Sequence, residues 1–114
     1  MLFRSDLLLA LQRASASQAF LLRAHIGNYT LFISGVFHDR VESRSRRGGP
    51  DIEFFEGVGA ANFQSAAEHP FARQHALSPV LGELGERFHD LRLALNETAE
   101  RHLHLDEQIG RVHV

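Results

Sequence analysis

Three groups of polar residues in this chain have spacings that could do chemistry. His25 and Tyr29 stand four apart inside a strongly apolar stretch, His38-Asp39 directly follow Phe37, and Arg40, Arg44 and Arg47 recur at helical intervals. Residues four apart on a helix touch. The His25 imidazole and the Tyr29 phenol can therefore satisfy each other in a core, or together anchor a small molecule in an apolar pocket. His38 and Asp39 read either as a turn closed by side-chain to backbone bonds or as a grip on a small acidic ligand. The arginines read as a solvated helix end, with Glu42 and Arg46 paired, or as an anion-binding patch for a nucleic acid or an anionic metabolite. No aromatic residue interleaves with them and the formal net charge is −2. Nucleic acid is therefore the weaker of those partners.

Other chemistries fail on spacing or composition. The eight histidines invite a metal, and Glu86-Arg-Phe-His89 has the Glu-x-x-His spacing of di-iron bundles. With Leu81, Leu84, Phe88 and Leu91 as the inward stripe, Glu86 points away and His89 lies far off the core, and no second such pair exists. His102 and His104 fit a helix C-terminus better than a metal. There is no cysteine, which excludes disulfides, thiolate metal sites and cysteine nucleophiles. No serine sits in a Gly-x-Ser-x-Gly elbow, and Gly57-Val58-Gly59 lacks the spacing and the preceding strand of a nucleotide loop. Glu53 and Glu56 are explained by the first turn of a capped helix. The sequence thus offers no catalytic residue, no metal set and no cofactor site.

The elements that must position these groups are helices. Ser17 to Phe37 is apolar almost all the way round, as a helix enclosed by neighbours is. Leu21, Leu22, Ile26, Tyr29, Phe32, Ile33, Val36 and Phe37 form its broad inward face. Phe20, Ala24 and Leu31 lie opposite, and a strip of Arg23, Gly27, Thr30 and Ser34 is left for water. Gly27 and Gly35 imply close approach of a neighbouring backbone, since each otherwise costs about 1 kcal/mol against alanine. Before it, Ser5 caps a helix from Asp6 to about Ala14 with Leu7, Leu8 and Leu11 inward, and Ser15 and Ser17 break the chain. After it, Gly48, Gly49 and Pro50 stop the arginine-bearing helix. Asp51 caps a helix over 52–69 with Phe54, Phe55, Val58 and Ala61 or Asn62 inward and a small-residue patch at 57–61. Residues 71–77 form a loose turn. Ser78-Pro79 opens a last helix to about His102 with a stripe at Leu77, Leu81, Leu84, Phe88, Leu91, Leu95, Thr98 and His102. Its alternating steps of four and three suit antiparallel packing in a bundle or across a dimer. The tail after His102 carries little pattern and is expected to be loosely ordered.

The 114 residues are expected to make one helical domain, or a short form of a longer helical one, able to bury about two thirds of the unfolded surface. At 44% hydrophobic and 23% charged, the composition is that of a soluble globular protein. All 12 basic residues are arginines, which we read as a coding bias. The N-terminus imitates a signal peptide, but Asp6 precedes its leucine run and the Leu7–Leu11 core is short. It reads as a helix of the mature protein, with the cytoplasm as the expected location and no membrane span.

Gly27-Asn28-Tyr29-Thr30-Leu31-Phe32-Ile33-Ser34-Gly35-Val36-Phe37, the run from Phe54-Phe55 to Phe63, and Leu81-x-x-Leu84-x-x-x-Phe88 with Leu95-Asn96-Glu97 resemble an uncharacterised bacterial helical family. The resemblance spans roughly residues 7–102 and implies an all-α fold without supplying a function; where it leads one to expect Pro-Asp or Pro-Glu after Phe37, this chain has His38-Asp39. The sequence therefore predicts an all-α, compact bundle of four to five helices around a buried central helix. The expected role is a non-enzymatic interaction protein that forms a homodimer through the helix of residues 77–102. The alternatives are a small-molecule or sensory module at His25 and Tyr29 and a nucleic-acid binder at Arg40–Arg47.

Overall fold

The computed structural model describes the backbone of residues 2–112 and the side chains of residues 15–102. The fold is all-α. Its helices are α1 (Leu2–Val36), α2 (His38–Ser45), α3 (Ile52–Glu68), α4 (Pro70–Gln74), α5 (Ser78–Glu86) and α6 (Phe88–Val112). Among the described residues six helices replace the four to five expected, through one fusion and two additions. The break at Ser15 and Ser17 does not form, because no glycine or proline precedes Gly27 and a serine inside a helix costs only tenths of a kcal/mol. The Leu7, Leu8 and Leu11 stripe and the residues of the tail lie outside the described side chains.

As expected, α1 is the centre, with α2, α3, α4 and α6 all against it. The side it buries is the opposite of the one its hydrophobicity implies. Phe20, Gly27, Thr30, Ser34 and Gly35 are buried, Ile26 and Ile33 are half-buried, and Leu22, Tyr29 and Phe32 remain 58%, 55% and 51% exposed. The cause is shape. A Cβ on Gly27 would lie 2.7 Å from the Phe63 ring, and one on Gly35 would lie 2.8 Å from Leu95 Cβ. On α3, a Cβ on Gly59 would collide with both the Phe88 ring and the Thr30 hydroxyl. These notches let two phenylalanines, Phe63 and Phe88, sit between the helices with their ring centroids 6.1 Å apart. The polar strip is acceptable in the core because its hydroxyls are satisfied within α1. Thr30 Oγ1 donates to the carbonyls of Ile26 and Gly27, and Ser34 Oγ donates to that of Thr30 at 2.6 Å.

Asp51 caps α3 as predicted, its side chain accepting from the Phe54 N–H at 2.8 Å. Its inward residues are Gly59, Phe63, Ala66 and Ala67, whereas the expected Phe54 is exposed. The loose turn is a short helix. The His69 Nδ1 accepts from Phe71 N–H to start it, and its buried Ala72 packs with Phe20 of α1 and Ala66 of α3. Ser78 does not cap; its hydroxyl donates to the Ala67 carbonyl at 2.6 Å and ties α5 to the end of α3.

The last helix, expected as one piece, bends at Arg87, where φ is −100° and ψ is 17°. The bend lets α5 lie on α3 and α6 lie on α1. One leucine stripe thus serves two different neighbours. Gln64 Nε2 donates to the Gly82 carbonyl at 3.1 Å across the α3–α5 contact, and Asn96 Nδ2 donates to the Gly35 carbonyl near the end of α1.

Two glycines on α3 separate close approach from simple helix propensity. Gly59→Ala is expected to lower the unfolding free energy by about 2 kcal/mol, because the methyl has no room. Gly57→Ala, whose Cβ meets nothing within 4 Å, should raise it by about 0.5–1 kcal/mol. Urea denaturation followed by circular dichroism measures both.

Candidate functional site

The predicted site residues separate on folding. His25 and Tyr29 are both at the surface, with ring centroids 6.3 Å apart and no hydrogen bond between them. The mutually satisfied core pair is therefore not formed, because the face that carries them is turned outward. His38 Nε2 lies 3.2 Å from Glu42 Oε1, and its Nδ1 is buried without a protein partner. Glu42 is thus engaged with His38, not with Arg46. Asp39 is exposed on the outside of α2, and Arg47 lies beyond the helix end.

What folding does bring together is Tyr29 with two of the three arginines. Tyr29, Ile33 and Phe37 from the end of α1, Arg40, Val41 and Arg44 from α2, and Pro50 and Phe55 beyond it line a cavity of about 200 Å³. Each wall has a local cause. Phe37, with φ −107° and ψ 39°, ends α1 and redirects the chain so that α2 folds beside it. Val41 is the buried residue of α2, which places Arg40 and Arg44 to either side of it along the helix. The α2 end is closed by Gly48 in the left-handed region, φ 95°. Gly49 N–H donates to the Arg44 carbonyl and Gly48 N–H to that of Ser45, a Schellman closure. That closure returns Pro50 to the cavity, and the Asp51 cap then starts α3 with Phe55 one turn in. The Arg40 guanidinium lies 5.4 Å from the centre of the Phe37 ring, a cation–π contact.

A second cluster was missed at the sequence level. Glu56 on α3 accepts from Arg92 Nε and pairs with His89 Nδ1 at 2.8 Å, both on α6. Arg92 is only 6% exposed. Its position gave the signal: it stands four residues after Phe88, on the side of α6 that must face the core, so it requires an acid. Burial pushes the Glu56 carboxyl up, but the hydrogen bonds and charges of His89 and Arg92 outweigh this and hold it below its ordinary value. Glu56 thereby meets both partners through Oε1 and holds α6 on α3. Glu53, one turn earlier on the same helix, is exposed, as is Glu86. Among the described residues no three of His, Cys, Asp or Glu gather as a metal would need.

Comparison of the chain with protein-family models, with curated proteins and with solved structures finds no match. No described helix is long and apolar enough to cross a membrane.

The depressed Glu56 pKa fixes the sign of an acid dependence. The carboxylate's contribution is complete above the ordinary value of 4.5 and is lost as pH falls through the lower folded value. Glu56→Gln is expected to lose about 1–2 kcal/mol at neutral pH, because it leaves Arg92 buried without a counter-charge. Its stability should then vary less than the parent's between about pH 5 and pH 3. Chemical denaturation across that range checks both.

Proposed function

We propose that this chain is a non-enzymatic helical interaction module that pairs with a second copy of itself through the outer face of α1. One observation carries the reading: large apolar side chains stand partly in solvent along that face, while the side of α1 turned to the core carries Gly27, Thr30, Ser34 and Gly35. Leu22, His25, Tyr29, Phe32 and Val36 follow one another at steps of three and four. That is the seam by which two helices pack side by side. A row of this kind left open on a small protein marks an interaction surface. A two-fold pairing needs no second sequence, because the same patch faces itself. His25 within the seam supplies a polar position of the sort that fixes register.

The helix of residues 77–102 is a poorer surface for the same purpose. Phe88 is 2% exposed, Leu81, Leu84, Leu91 and Leu95 are half-buried within the chain, and the helix bends at Arg87. The proposed dimer therefore moves from that stripe to α1. The engaged state of Glu56 supports a role without catalysis, because its carboxylate is already committed to α6.

Size-exclusion chromatography with light scattering tests the proposal. The parent chain should run as a dimer. Phe32→Glu should run as a monomer with unchanged helical circular dichroism, because Phe32 is half-exposed at the edge of the Phe37 ring and outside the buried core. A parent chain that stays monomeric at the highest attainable concentration overturns the reading.

A further inference from the structure

The cavity between α1 and α2 joins features that the sequence presents as unrelated: an apolar pocket and an arginine patch. We infer that it is a binding site for a small apolar organic anion, a compact hydrophobic body bearing one carboxylate.

The walls state the chemistry. Ile33, Phe37, Val41, Pro50 and Phe55 offer aliphatic and aromatic surface, and the polar side chains among the lining residues are Tyr29, Arg40 and Arg44. No carboxylate lines the cavity, so its charge is wholly positive. Among the described residues neither guanidinium is in an ion pair, while Arg87, Arg92 and Arg101 each are. An apolar pocket with a few convergent polar groups is the usual form of a small-molecule site. Guanidinium groups hold carboxylates through paired N–H donors. Phe37 backs Arg40 and biases it toward the cavity side of α2. A volume of about 200 Å³ suits one or two rings or a short branched chain, not a nucleotide or a long lipid. This assigns Arg40 and Arg44 a ligand that needs no wide basic surface, in keeping with the net charge of −2. It also separates them from Arg47, which does not line the cavity.

Calorimetric titration with 1-naphthoate tests the inference, with 1-naphthalenemethanol as the uncharged body and inorganic phosphate as the bodiless anion. Naphthoate should bind saturably, the alcohol about tenfold more weakly or worse, and phosphate no better than the alcohol. Arg40→Gln combined with Arg44→Gln should reduce naphthoate affinity about tenfold or more and leave the alcohol unchanged. Both positions are exposed, so the variant keeps its fold, which circular dichroism verifies. The titration is repeated in the Phe32→Glu chain, where retained binding separates this site from self-association. The inference is overturned if naphthoate does not bind, if the alcohol binds as well as the acid, if phosphate matches naphthoate, or if the double substitution leaves naphthoate affinity unchanged.

Discussion

The structure depends on missing side-chain volume along two helices. Gly27 and Gly35 on α1 and Gly59 on α3 open notches that the Phe63 ring, Leu95 and the Phe88 ring occupy. Where a helix surface is notched, a large side chain from a neighbour enters to full contact distance, and dispersion over many atom pairs rewards the fit. A smooth row of leucines and phenylalanines cannot admit a neighbour so closely. Shape therefore outweighs side-chain hydrophobicity in choosing the inward face of α1. The hydroxyls of Thr30 and Ser34 do not oppose this choice, because their own helix satisfies them.

Everything else at the surface follows from that choice. With the small side inward, Leu22, Tyr29 and Phe32 are turned out, and the chain carries an apolar seam in water. With α6 drawn onto α1, the alternating leucine stripe cannot stay on one straight helix and still cover α3, so it bends at Arg87. The same docking carries Arg92 into the interior, where Glu56 must meet it. The end of α1 is pinned by Asn96, and the turn at Phe37 then lays α2 across Tyr29 and Ile33. The cavity with its two arginines is a by-product of that crossing and of the Gly48–Gly49 closure that returns Pro50 to it.

The fold class was legible in the sequence, and so were the features that act locally. Asp51 caps α3, Gly48 and Gly49 end α2, and Phe88 is buried, each for reasons confined to a few neighbouring residues. The role of Gly27 and Gly35 in close approach was also legible, though the neighbours that meet them were not. What failed was orientation. A helix with apolar groups on most sides does not declare which side faces in, and counting apolar residues chose wrongly for His25 and Tyr29. The functional residues were legible as types but not as a set. Tyr29 belongs with Arg40 and Arg44 only once α2 folds back across α1, and no helical periodicity encodes that crossing. Arg92 was the clearest overlooked clue, being a charge in register with a core phenylalanine.

The sidedness of α1 is the claim on which the account stands, and the absence of native cysteine makes it directly measurable. Single cysteines placed by Ser34→Cys and Leu22→Cys are to be labelled with a maleimide in the native protein, dilute enough to be monomeric. The account predicts fast labelling at position 22 and labelling at position 34 only as fast as the fold opens, orders of magnitude slower. Rapid modification at 34 with protection at 22 would mean that α1 turns its hydrophobic side inward, and the notch-and-ring core described above would be wrong.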